Sequence, residues 1–133
     1  MDWNFMLNYD DIDKVLAEHY KTIYPDKNVV CNSFQDADSY TDSWGFDVKY
    51  YKLAATITIT GSATILGKTI ELKNETTVKE GKLFPIIKEK IDALLCNQDG
   101  YNIEVSSLEA CKTNVIIHFK EKNKKKVLKK DVD

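Results

Sequence analysis

Between Leu53 and Ile65 the chain alternates, with Leu53, Ala55, Ile57, Ile59, Ala63 and Ile65 at odd positions and Thr56, Thr58, Thr60 and Thr64 at even ones. Successive side chains of a strand point to opposite faces, so this pattern describes a strand with one buried and one wet face. A second alternation follows Gly67-Lys68, and reading those two residues as a tight turn folds the chain into a hairpin. Closure there pairs Ile65 with Ile70, Ala63 with Leu72, Gly61 with Asn74, Ile59 with Thr76 and Ile57 with Val78. The two apolar faces then coincide, and a slip by one residue would put one of them in water. Gly61 is a candidate bulge within the first strand.

The flanking segments supply what such a hairpin packs against. Asn8 or Asp10 can cap a helix running to about Tyr24, with Ile12, Val15, Leu16, Tyr20 and Ile23 at helical spacing and Pro25 as its stop. Val29–Phe34 reads as a short strand, and the stretch from there to Tyr51 as a loop leading into the hairpin. A second helix is predicted at Leu83–Asn97, with Leu83, Phe84, Ile87, Ile91, Leu94 and Leu95 as its stripe, Pro85 in its first turn and Gly100 after its end. Strands are expected at Tyr101–Ser106 and Asn114–Lys120, and the lysine-rich residues beyond read as a mobile tail. The predicted fold class is α+β, an antiparallel sheet of about four to six strands with two helices packed on one face. Residues 1–120 form a single domain in this reading and 121–133 a flexible tail.

Charge is distributed unevenly along this frame. Residues 1–48 hold ten acidic and three basic side chains, net −7, whereas residues 112–133 hold eight lysines against three acids, net +5. Asymmetry of this kind points to charged partners. Arginine is absent among 19 basic residues, so no planar guanidinium is available to clamp a phosphate or carboxylate with two parallel hydrogen bonds. The lysine tail can attract nucleic acid, but it lacks the interleaved aromatics that stack on bases. Direct nucleic-acid binding is therefore disfavoured. No apolar run approaches the roughly 20 residues of a membrane span and no signal peptide is recognisable, which predicts a cytoplasmic protein without a membrane partner.

The most unusual segment is Ser33–Tyr51, "SFQDADSYTDSWGFDVKYY", which mixes carboxylates with aromatic rings. Asp36, Asp38 and Asp42 match the first, third and seventh positions of a calcium loop. The sixth position is Thr41 where glycine is needed, and the twelfth is Asp47 where a bidentate Glu is needed, so no calcium site is predicted. Cys31, Cys96 and Cys111 are odd in number and dispersed, and with His19 and His118 they form no zinc or catalytic spacing. Cys31 in a strand and Cys96 in an apolar helix read as buried structural cysteines. No phosphate loop, nucleophile elbow or HExxH occurs, and the sequon-like Asn74–Thr76 is meaningless in a cytoplasmic strand. Neither catalytic residue nor metal nor cofactor is predicted.

What remains is recognition. Asp36, Asp38, Asp42 and Asp47 offer spaced negative charge, Tyr40 and Trp44 rigid anchors, and Asp10, Asp11 and Asp13 a second acidic group. The expected function is a non-catalytic binding protein whose acidic and aromatic surface occupies a basic groove of a protein partner. A short, arginine-free, acidic-lobed α+β chain resembles the small inhibitors encoded by phages and mobile elements, anti-CRISPR proteins among them. That resemblance implies a nucleic-acid-binding nuclease as the partner, a PAM-reading or duplex channel as the groove, and the host cytoplasm as the location. Alternatives are a homo-oligomer that sequesters a signalling nucleotide and a structural phage component.

Overall fold

The structure is a computed structural model that describes residues 3–98 and 102–122. Its elements run β1 (Trp3–Asn8), α1 (Tyr9–Ile23), β2 (Asn28–Thr41), β3 (Asp47–Ile65), β4 (Lys68–Lys79), α2 (Glu80–Cys96), β5 (Ile103–Ala110) and β6 (Asn114–Glu121). The class is α+β. The strands form two antiparallel sheets of three, β1-β6-β5 and β2-β3-β4, where the sequence suggested a single sheet. The difference comes from β1, whose Trp3, Phe5 and Leu7 lie opposite Phe119, Ile117 and Val115 of β6. Six residues with a partner more than a hundred positions away leave little local signal.

α1 begins as its sequence dictates. The Asn8 side chain accepts from Asp11 N–H and the Asp11 carboxylate accepts from Asn8 N–H, a reciprocal cap, while Asp10 and Asp11 sit at the positive end of the helix dipole. Ile12 and Leu16 are fully buried, and the chain leaves the helix at Tyr24 before Pro25. α2 starts at Glu80, three residues before Leu83, so Pro85 lies inside the helix instead of in its first turn. Glu80 explains the early start. Its carboxylate accepts from Leu53 N–H at 2.9 Å, continuing the β3–β4 ladder into the helix without a loop. Gly100, expected after the end of the second helix, and Tyr101, the expected start of the next strand, fall outside the described residues, as do residues 123–133 of the tail; Glu121 still belongs to β6, and Lys122 N–H bonds Asn102 O at 3.0 Å.

Both sheets and both helices share one core. Ile12 and Leu16 of α1, Cys31 of β2, Leu53, Ala55 and Ile57 of β3, Leu83, Ile87 and Ile91 of α2, and Val105, Val115 and Ile117 of the second sheet pack together. No polar or charged residue is buried among the described residues.

The central hairpin forms with its faces as read but its register displaced by two. Ile65 pairs with Lys68, Ala63 with Ile70, Gly61 with Leu72, Ile59 with Asn74, Ile57 with Thr76 and Ala55 with Val78. The turn is therefore Leu66-Gly67, not Gly67-Lys68. Both residues have positive φ, 53° and 74°, as a type I′ turn requires. That turn matches the twist of the strands and wants glycine second, where Gly67 stands. A shift of two preserves every side chain's face, which is why alternation alone could not detect it. Gly61 is no bulge, since pairing runs through it unbroken; a methyl there would come within 2.6 Å of Lys27 Cδ, whose stem crosses this face.

Leu66 is 96% exposed and holds a left-handed conformation that glycine or asparagine adopts more easily. Leu66→Asn should therefore stabilise the protein by about 1 kcal/mol in denaturant unfolding. Unchanged or lowered stability would show that Leu66 makes a contact the turn depends on.

Candidate functional site

β2 and β3 stay paired far beyond the core. Their ladder runs from Asn28 opposite Thr60 to Thr41 opposite Asp47, while β4 reaches only Ala54. Past Asp36 and Lys52 no third strand continues among the described residues, and no residue between 37 and 51 is buried. The segment Ser33–Tyr51, expected to be a loop, is therefore a two-stranded arm. The run of β2 on to Thr41 was hidden because both faces of the arm are wet and its aspartates lower the strand signal.

The tip is built by Asp42. Its Oδ1 accepts from Trp44 N–H and Phe46 N–H, both at 2.9 Å, its own N–H bonds Phe46 O, and Gly45 supplies the positive φ of 85°. An aspartate mimicking a backbone turn in this way needs no other ligand. Trp44 is thrown outward at 81% exposure and Phe46 at 68%.

Residues directly opposite in a ladder share a face, which sorts the rest. Asp36, Asp38 and Tyr40 stand on one face opposite Lys52, Tyr50 and Val48. Here Tyr50 O–H donates to Asp38 Oδ2 at 3.0 Å and Ser39 N–H donates to Asp38 Oδ1 at 2.8 Å. The Tyr40 and Tyr50 rings lie 5.9 Å apart, and Lys52 Nζ sits 5.6 Å from the Tyr50 ring centre. Lys79 Nζ bonds Asp36 Oδ2 at 2.9 Å, so that carboxylate is partly neutralised. Asp47 stands on the opposite face and accepts from Thr41 Oγ1 at 3.1 Å. Of the residues expected to act together, Asp36, Asp38 and Tyr40 share one face, Asp42 and Trp44 make the tip, and Asp47 looks away. Tyr50, Lys52 and Phe46 join them without having been singled out. The two-residue spacing of Asp36, Asp38 and Tyr40 was the available signal.

The α1 acids divide likewise. Asp10 is exposed, Asp11 closes the helix cap, and Asp13 Oδ1 accepts from both N–H and Oγ of Ser33 at 2.6 Å, tying α1 to the base of the arm.

The cysteines and histidines were the other candidates for chemistry. Cys31 is buried as expected, and burial, then the Asp13 charge, pushes its thiol up to about 11. Cys96 is exposed, contrary to expectation, because it sits on the last residue of α2. Cys111 and His118 both approach Glu109, at 3.8 Å and 3.4 Å, and burial followed by that carboxylate raises the Cys111 thiol. Holding a thiol protonated is the reverse of nucleophile activation. Among the described residues no three His, Cys, Asp or Glu side chains converge on a metal position, and no described helix is long and apolar enough to cross a membrane.

Neither a family model, nor a curated protein, nor a solved structure matches this chain.

The Asp38–Tyr50 bond carries a pH signature. The Ser39 N–H and the Tyr50 phenol hold Asp38 below its ordinary 3.8, and Asp38 in turn holds Tyr50 above its ordinary 10.0. The lowered carboxylate contributes above its unfolded value and fails as pH falls through the folded one; the raised phenol contributes below its unfolded value and fails as pH rises through the folded one. Asp38→Asn should bring the Tyr50 titration, followed by ring-carbon NMR, back toward 10.0 while Tyr9 and Tyr20, raised chiefly by burial, stay put. A Tyr50 titration unmoved by that change would remove the bond from this account.

Proposed function

We propose that this chain is a non-catalytic binding protein that inserts the β2–β3 arm into a basic groove of a protein partner. The observation that carries the reading is the arm itself: two paired strands outrun the core and hold Trp44 and Phe46 in water at a tip built by Asp42. Leaving large rings exposed on an ordered scaffold is unfavourable unless something covers them, and ordered aromatic side chains lose little freedom on binding. Four aspartates against Lys49 and Lys52 leave the segment 36–52 at net −2, which favours a positively charged rim around an apolar pocket. The likeness to phage-encoded inhibitors extends this to a nucleic-acid-targeting defence enzyme, whose duplex channel is such a groove. With Asp36 engaged by Lys79 and Asp47 on the opposite face, imitation of phosphates falls to Asp38 and Asp42, while Trp44 and Phe46 supply the apolar share.

The test compares the wild-type chain with a variant carrying Asp38→Asn, Asp42→Asn and Trp44→Ala as bait in host lysate, at low and at high salt. Asparagine at 42 retains the carbonyl that builds the turn, so the arm stays folded. A partner retained by the wild type, released by salt and lost with the variant is expected. For the isolated pair, Trp44→Ala alone should cost about 2 kcal/mol, roughly thirtyfold in Kd. Retention that ignores both salt and all three changes would refute the arm as the binding surface.

A further inference from the structure

The four edges of the two sheets are treated differently. On β2, Asp13 takes up the outward N–H of Ser33, and Asp38 takes that of Ser39. On β5, Asp92 takes the N–H of Val105 at 2.8 Å, Lys88 Nζ donates to its carbonyl, Gln35 donates to the carbonyl of Ala110, and a register shift breaks the strand between Val105 and Ser107. β1 offers six residues. β4 offers twelve, nearly all exposed, with no proline and no register shift. Among the described residues no side chain takes up its outward backbone groups. A long, unbroken, uncapped edge is a template for another strand.

The phase of that edge follows from the hairpin. A two-residue turn makes Ile65 and Lys68 a hydrogen-bonded pair, so even residues of β4 bond β3 and the odd ones, Thr69, Glu71, Lys73, Glu75 and Thr77, aim their N–H and C=O outward. The bond from Leu53 N–H to Glu80 supports this phase, because an odd residue of β3 there faces the β4 side. A second β4 can pair antiparallel only with odd residues opposite odd ones. Among the two-fold arrangements this allows, centring on Glu71 or Lys73 sets identical charges against each other. Centring on Leu72 sets Glu71 opposite Lys73 of the second copy, twice, and the two Leu72 side chains opposite one another. Centring on Asn74 also joins unlike charges, Lys73 with Glu75, but it places Asn74 on the axis and Leu72 against Thr76.

We propose that two copies of this chain join β4 to β4 about a two-fold axis at Leu72, giving one continuous six-stranded antiparallel sheet. Leu72 is 53% exposed and Ile70 36%, and both lie on the face that carries Ile59, beside Tyr24 and the Lys27 stem. In the dimer these residues form an apolar strip across the axis, while the Glu71–Lys73 pairs occupy the polar face with Thr58 and Thr60. A closed, self-complementary contact of this kind also ends further growth at this edge, since each β4 is used once. The inference does not depend on the proposed use of the arm, which leaves the same sheet at its far end.

The experiment is sedimentation equilibrium of the wild-type chain, of Lys73→Glu, and of the double swap Glu71→Lys with Lys73→Glu. The wild type should sediment at twice the chain mass, the single variant should dissociate about tenfold or more readily, and the double swap should restore the dimer. The register is read by oxidative cross-linking in a background with Cys96→Ser and Cys111→Ser. A non-hydrogen-bonded antiparallel pair brings opposed Cβ atoms within disulfide reach, so Leu72→Cys should cross-link and Asn74→Cys should not. A monomer at every concentration, a dimer indifferent to Lys73→Glu, or cross-linking through position 74 in place of 72 would each overturn the proposal.

Discussion

The pairing of β3 on both of its sides is the constraint on which the rest of this molecule depends. Nineteen residues make it much longer than the average strand, and only Leu53, Ala54, Ala55 and Ile57 are fully inside. The core is set where its middle meets α1, α2 and the second sheet. Everything distinctive about the surface follows from its two ends running past that core, one with β2 as the arm and one with β4 as the long hairpin.

Each overhang must satisfy its backbone without a buried face to hold it. At the arm the ladder does this, aided by Asp42 at the tip and by the Asp38–Tyr50 and Thr41–Asp47 contacts along the sides. These bonds are exposed, so each contributes little alone. Together they turn a composition that reads as a solvated loop into an ordered display of rings and carboxylates. At the other end, β4 keeps its ladder with β3 but leaves its second side open, and the charge order Glu71, Leu72, Lys73 is self-complementary only about Leu72.

Much of this was legible in the residues, for identifiable reasons. The alternation from Leu53 to Ile57 and the α2 stripe of Leu83, Ile87 and Ile91 rest on burial with a local period, and the α1 cap at Asn8 on a local hydrogen bond; all three appear in the structure, whereas Ile65 and Leu94, read as parts of the same faces, are exposed. β1 escaped because its stabilisation comes from β6 at the far end of the chain. The turn was displaced by two because both registers keep the same side chains on the same face, and only the preference for glycine at the second turn position separates them. The extension of β2 to Thr41 escaped because wet-faced pairing leaves no apolar pattern to read. Within the acidic segment the residues were identifiable, but which of them share a face was not, since that depends on strand pairing the composition conceals.

Amide hydrogen exchange by NMR across residues 36–52 tests the central claim most directly. If the arm is a continuation of the β2–β3 ladder, the N–H groups of Asp38, Tyr40, Asp42, Val48 and Tyr50 face the opposite strand and should be protected, while those of Lys49 and Tyr51, on the side β4 does not reach, should exchange fast. Uniformly fast exchange through the whole segment would contradict it, returning Ser33–Tyr51 to a loop and removing the scaffold on which Trp44 and Phe46 are displayed.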